Sequence, residues 1–364
     1  MNINKTIVYA LAINLGTLCL CGQVIAASQL ASLQLYDDAD IDTVSLSHLY
    51  PQPSDFLWIE QQQLKVDAYH ALEFIADAAN HGLDPNDYHN DLLQQLDPMA
   101  GESDARLFDL MLSDGLLKLI RDMSTGRLDP ALVDPQWSIP RAAFDATVFL
   151  RQALSTGQFK AHLISLIPAS AQYQQLQAAA KRYRDYVSRG GWFSIPETVT
   201  LHPGDSDQNI SAIRHRLAFE NETFILTTPE QADYYDEKLQ RAVQQFQRRH
   251  SLTDDAVLGP ATINAMNVSA AERLQQIHMN MERLRWLPDD LGKRYIMVNL
   301  ANYQLNAIED EKVKLNMRVI VGKTERPTPS FSSTMSRIVF NPRWYVPNKL
   351  ASVDLLPKQQ ANPD

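Results

Sequence analysis

Arg318-Val319-Ile320-Val321-Gly322-Lys323, then Thr328-Pro329, then Phe340-Asn341-Pro342-Arg343-Trp344-Tyr345-Val346-Pro347 follow one another near the carboxyl end of the chain. Upstream of them the hydrophobic period is two. Tyr295-Ile296-Met297-Val298-Asn299-Leu300 reads as a strand, Glu309-Asp310-Glu311-Lys312 as a polar turn, and Val313, Leu315, Met317, Val319 and Val321 alternate without a break. Ile338-Val339-Phe340 reads as one more short strand, closed by Asn341-Pro342. Residues 293–364 are therefore expected to open a β-rich domain. A few strands with open edges do not make a self-sufficient domain, so this unit is expected to be incomplete.

Moving outward, the period changes to that of a helix. Ser269 and Glu272 spell a capping box, and Leu274, Ile277, Met281 and Leu284 form an apolar stripe that ends at Trp286-Leu287-Pro288; residues 268–292 are predicted as a linker helix. Residues 199–267 read as three short helices. Ser206 is placed to cap the first, which buries Ile210, Ile213 and Leu217; the second carries Leu239, Ala242, Val243 and Phe246 and ends with Arg248 and Arg249; the third starts at Gly259-Pro260 and buries Ile263 and Met266.

Residues 28–198 are helical throughout. Val66, Tyr69, Leu72, Phe74, Ile75 and Ala79 precede a stop at Gly82, Leu107 to Ile120 form a strongly apolar segment before Ser124-Thr125-Gly126, and Tyr173 to Val187 end at Gly190-Gly191. Trp58, Trp137 and Trp192, with His48, His70, His81, His89 and His162, lack metal-ligand spacing and are expected in packing roles. The fold class is a multidomain α+β chain: an all-α domain, a three-helix module and an incomplete β-rich domain.

Met1 to Ala27 has Lys5, an apolar run from Ile7 to Leu20 and small residues near Ala27, the pattern of a secretory signal peptide. The run is short for a membrane anchor, so an exported protein without stable membrane insertion is expected. Both cysteines, Cys19 and Cys21, lie inside that leader. The net charge of -10 is uneven: Lys293 to Lys358 holds 11 Lys or Arg against 5 Asp or Glu. A basic face of this kind suits an anionic substrate, and nucleic acid is not an expected partner.

Leu239-Gln240-Arg241-Ala242-Val243-Gln244-Gln245-Phe246-Gln247, Leu252, Asp255 and Leu258-Gly259-Pro260-Ala261-Thr262 resemble the peptidoglycan-binding module of cell-wall enzymes. Within it Phe246, Asp255, Gly259 and Thr262 mark the fold, and Ala256 stands where that family usually has the glycine of an Asp-Gly turn. The stretch quoted first, with His81-Gly82-Leu83-Asp84-Pro85, Tyr88, Gly126-Arg127 and Asp129-Pro130 upstream, resembles the L,D-transpeptidases that carry a scaffold domain and a YkuD-type catalytic domain. That resemblance implies an exported, periplasmic enzyme of cell-wall organisation, acting on peptidoglycan stem peptides beside cell-wall synthases. A cysteine thiolate would attack a donor tetrapeptide, release the terminal D-alanine and pass the acyl group to an acceptor amine, helped by a histidine and by backbone donors to the oxyanion.

The Ser-His-Gly-Cys type motif of the family is absent from the 364 residues, and all nine histidines precede Lys293. The expectation is a truncated chain without its catalytic residues, inactive by itself; the alternative is a noncatalytic peptidoglycan-binding scaffold protein. Among the residues present, Asn341, Trp344 and Tyr345 are expected near the substrate cleft because Pro342 and Pro347 stiffen their loop, although Trp344 could equally pack over the sheet. No cofactor or metal site is expected: His-Glu-x-x-His, Gly-x-Ser-x-Gly and phosphate-loop patterns are missing, and Asp37-Asp38-Ala39-Asp40 reads as a polar turn.

Overall fold

In the computed structural model the described residues are 41–52, 54–196, 200–220, 231–288, 290–343 and 345–362. Met1–Ala27, expected above to be a leader, the Asp37–Asp40 cluster and Trp344 lie outside them.

The helical region is organised around one long helix, Glu102–Thr125. Its run Phe108-Asp109-Leu110-Met111-Leu112-Ser113-Asp114-Gly115-Leu116-Leu117 is buried on every side, because the helices Thr43–Leu49, Val66–Ala76, Ala146–Ser155 and Phe159–Ser165 pack around it. A helix that is wetted on no face has to satisfy its polar groups internally. Asp109 accepts from the Tyr50 hydroxyl at 2.6 Å and from the backbone N–H of Leu57 and Trp58 at 2.9 and 2.8 Å. Asp114 takes the Asp42 N–H at 2.8 Å, His89 Nε2 at 2.7 Å and the Lys118 ammonium at 3.0 Å. Burial raises the Asp109 carboxyl; at Asp114 burial pushes the same way, but the His89 bond and the Lys118 charge outweigh it and hold the group below its ordinary value. Gly115 is obligatory for a steric reason: a Cβ there would run into the Tyr88 carbonyl. A two-residue-per-strand hairpin, Ile59–Glu60 with Gln63–Leu64, is a small addition to the all-helical expectation.

The helix Ala270–Arg285 opens with the capping box at Ser269 and Glu272 that the sequence spells. It does not bridge two units through solvent. It lies along the helix Ala171–Ser188, closing a small core of Tyr173, Ala180 and Met281 flanked by Leu176, Leu274, Ile277 and Leu284.

The three-helix module sits in the chain between those two helices. Its helices are Asn209–Ala218, Glu237–Arg249 and Pro260–Asn267, and Ile210, Ile213, Leu217, Leu239, Val243, Phe246, Ile263 and Met266 fill its core. The first helix starts later than the sequence indicates. Ser206 pairs with Tyr234 in an isolated bridge, and Gln208 occupies the cap position without a side-chain bond.

Residues 293–362 hold a three-stranded antiparallel meander: Arg294–Asn299, Gln304–Glu309 and Lys312–Arg318. The middle strand escapes the periodicity reading because Gln304, Asn306 and Glu309 leave only Leu305, Ala307 and Ile308 as apolar markers. The turn between the second and third strands places Asp310 and Glu311 at φ +47° and +59°, left-handed in two successive residues, as a tight hairpin requires. Register puts Ile296, Ala307 and Leu315 side by side, and Val298, Leu305 and Met317 beside them. Ile296, Leu315 and Met317 are 51, 49 and 44% exposed, so no described residue covers that apolar face. Ile338-Val339-Phe340 forms no strand: these side chains are exposed and pair with no edge.

Candidate functional site

The linker helix docks onto the two glycine-containing phrases of the helical region. Glu282 Oε1 accepts from the Leu128 N–H at 2.9 Å and from Trp286 Nε1 at 2.8 Å, while Oε2 takes Arg285 Nη2 at 2.7 Å. Arg285 is buried, and its Nη1 donates to the His81 carbonyl and to the Tyr173 hydroxyl, both at 2.9 Å. Gly126, at φ +76°, passes so close beneath Trp286 that a Cβ would come within 2.5 Å of its ring and 2.7 Å of Glu282 Oε1. Gly82, at φ +73°, faces His278 in the same way at 3.0 Å. His81 is held near pKa 4, first by burial and then by the positive charge of Arg285, against an opposing pull from Asp77. Its Nδ1 lies 3.1 Å from the Tyr173 hydroxyl, an arrangement that suits the neutral ring.

Chain entry to and exit from the module are laced together. Ile195 N–H donates to Asn267 Oδ1 at 2.7 Å, Asn267 Nδ2 returns to the Ile195 carbonyl at 2.8 Å, and Trp192 Nε1 donates to the Val268 carbonyl at 3.1 Å. Beside this clasp Arg216 is buried, with its guanidinium 3.8 Å over the Trp192 ring, its Nε on the Met266 carbonyl at 2.8 Å and its Nη2 2.8 Å from Glu220. Glu220 also pairs with Arg249 at 2.6 Å. Burial alone would raise the Glu220 carboxyl, but the two arginines hold it below its ordinary value. Only the Arg–Glu spacing of four residues, running just past the end of the helix, hinted at this pair in the sequence.

Within the module Phe246 is fully buried and stacks on His250 with ring centroids 4.0 Å apart. Thr262 is buried and sits 3.2 Å from Gln247 Nε2. Gln247 is the organiser that sequence reasoning passed over. Its Nε2 also donates to Asp255 Oδ1 and to the Val257 carbonyl at 3.0 Å, and its Oε1 accepts the Ala256 N–H at 2.9 Å. Asp255 further receives the Val257 N–H at 2.9 Å, so it braces the turn in which Ala256 takes φ +62°. Gly259 caps the third helix through its backbone, with open space where a Cβ would stand. Asp255 and Thr262 thus meet at Gln247 beside that turn, while Phe246 lies in the module's core and Gly259 opens the third helix.

In residues 293–362 the quoted stretch makes a closed loop. Gly322 N–H donates to Thr328 Oγ1 at 2.8 Å, and a Cβ on Gly322 would clash with the Arg326 carbonyl. Arg326 reaches forward to Asp354 in a two-pronged pair whose second bond is 2.9 Å. This region touches the helical one through Ser330, whose carbonyl accepts Ser138 N–H at 2.8 Å and whose N–H donates to Gln136 O at 3.1 Å. Asn341 is exposed at φ +48°, and Tyr345 is 84% exposed. No hydrogen bond joins the two.

Comparison with known families agrees with this layout. A "Scaffold domain" model matches residues 45–179, a "Putative peptidoglycan binding domain" model residues 206–266, and an "L,D-transpeptidase catalytic domain" (YkuD) model residues 293–364. The chain thus carries, in this order, regions similar to a scaffold domain, a peptidoglycan-binding domain and an L,D-transpeptidase catalytic domain. A Haemophilus influenzae protein named "Putative L,D-transpeptidase" is 42% identical over 90 residues, a match that covers 25% of this chain and 18% of that protein.

Proposed function

We propose that the chain is an exported, periplasmic peptidoglycan-remodelling protein whose family chemistry is acyl transfer from a donor stem peptide, through a cysteine thioester, to an acceptor amine. The observation that carries this reading is the order of the three matched domains on one chain. Together they favour a cell-wall location, and no helix among the described residues is long and apolar enough to cross a membrane. Acyl transfer of this type needs a thiolate, a base to generate it and donors to the oxyanion. The sequence supplies thiols only at Cys19 and Cys21 of the leader, and residues 293–364 contain no histidine. The polypeptide of 364 residues is accordingly proposed to bind stem peptides without turning them over, with Asn341, Trp344 and Tyr345 as the contacts toward the acyl donor.

A noncatalytic wall-docking role is the second reading, favoured by the dense packing of the helical region, linker helix and module against the exposed position of Asn341 and Tyr345. One pair of assays tests both readings. Purified chain is expected to co-sediment with sacculi and to release no D-alanine from a disaccharide-tetrapeptide. Turnover would overturn the proposed silence, and failure to sediment would overturn wall binding.

A further inference from the structure

A cleft of roughly 430 Å³ opens where the helix Ala171–Ser188 faces the module, and none of the roles above uses it. Both units build it. Arg182, Tyr183 and Tyr186 come from the scaffold helix, Phe219 and Glu220 from the end of the first module helix, and Arg249 and His250 from the end of the second. Its aromatic wall is fixed by mutual packing: Tyr186 meets Phe219 edge-on at 5.4 Å, Tyr183 meets Tyr186 at 5.5 Å, and Trp192 backs all three at 5.6 to 6.2 Å. The Tyr186 hydroxyl donates to the Phe219 carbonyl, so the wall itself joins the two units.

The charge of the cleft is also set by construction. Glu220 is answered by Arg216 from behind and by Arg249 at the rim, and these two guanidiniums with Arg182 against a single carboxylate give the opening an excess of positive charge. A rigid aromatic wall offers a face to the C–H side of a pyranose ring, and guanidinium forks at the rim match a carboxylate. Sites of this kind favour boundaries between units.

We propose that this cleft is a saccharide subsite shared between scaffold and module, taking an amino-sugar ring against Tyr183 and Phe219 with the carboxylate of its peptide substituent toward Arg182 and Arg249. The proposal rests on the peptidoglycan reading and adds a location to it: glycan is held where the module meets the scaffold helix, not by the module alone.

The test uses the full chain, titrated calorimetrically with a disaccharide-tetrapeptide, the free tetrapeptide and a neutral N-acetylglucosamine tetramer, with sacculus co-sedimentation run in parallel. Tyr183→Ala is expected to weaken the disaccharide-tetrapeptide and the neutral tetramer by about five-fold or more. Arg182→Glu, at an exposed position, is expected to keep the parent's unfolding transition, to weaken the disaccharide-tetrapeptide by a similar factor and to spare the neutral tetramer. If both variants bind the disaccharide-tetrapeptide as the parent does while the parent sediments with sacculi, the cleft is not the subsite and the peptidoglycan reading stands. Loss in Arg182→Glu with none in Tyr183→Ala reduces the site to an anion patch and overturns the saccharide assignment. A parent chain that neither titrates nor sediments overturns both readings together.

Discussion

Replacing Glu282 by alanine removes the carboxylate on which the docking of the linker helix converges. The residue is 8% exposed and its side chain serves three donors: Leu128 N–H at 2.9 Å, Trp286 Nε1 at 2.8 Å and Arg285 Nη2 at 2.7 Å. The substitution leaves Arg285, itself 3% exposed, with only the neutral oxygens of His81 and Tyr173. Stranding one partner of a buried ion pair costs about 3–5 kcal/mol, and an orphaned buried donor about 1–3 kcal/mol. These costs overlap because the freed groups relax together, so the expected loss is about 4 kcal/mol. Urea unfolding of the full chain, followed by tryptophan fluorescence, reads it as a lower midpoint of the transition that exposes Trp286. Glu282→Gln keeps one carbonyl acceptor and should lose clearly less. Glu282→Ala combined with Arg285→Ala should recover part of the loss, giving a coupling of at least about 1 kcal/mol. A loss below about 1 kcal/mol in Glu282→Ala, or strict additivity in the double variant, would refute the view that this carboxylate holds the helix down.

His81 takes up a proton near pH 6.5 when unfolded but only near pH 4 in the fold, so the unfolded state binds more protons between those values. Stability should therefore fall as pH drops through that window, by up to about 3 kcal/mol, and the part due to this ring should vanish in His81→Gln; equal pH slopes in parent and variant would exclude it. Ala256→Gly relieves a left-handed strain of about 1–2 kcal/mol but gives up a buried methyl, for a net change under about 1 kcal/mol. Ala256→Val cannot adopt that conformation cheaply and should lose more than about 2 kcal/mol in thermal unfolding. Gly115→Ala drives a methyl into the Tyr88 carbonyl and should cost about 3 kcal/mol or prevent folding, visible as loss of soluble, cooperatively unfolding protein.

Helix content was legible because the apolar spacing agrees with the local stop signals. Gly82 adopts the left-handed conformation that ends Asp77–His81, and Ser269 with Glu272 forms the capping box. What stayed hidden was tertiary. His81-Gly82 and Gly126-Arg127 carry no individual meaning in one dimension, yet both prove to be the floor on which a helix some 150 or more residues later rests, as the Leu128–Glu282 bond at a separation of 154 shows. Gln247 looks like any polar residue of an amphipathic helix; its importance depends on a turn that folds back over it. The strand Gln304–Glu309 was missed because its alternation is weak, and Ile338-Val339-Phe340 was read as a strand because β-branched and aromatic residues favour strands even where no partner edge is present. At the candidate site, the family match made the module recognisable, while the aromatic wall joins Tyr183 and Tyr186 of one helix to Phe219, 33 residues beyond Tyr186, and has no linear signature.

The clasp of Ile195 and Trp192 on Asn267 and Val268 has a mechanical corollary. Tension applied along the polypeptide between the helical region and the strands is transmitted across these short bonds and the helix pair behind them, bypassing the three small helices hung to one side. Under load these bonds and the helix pair would give way before the module's own core is pulled on.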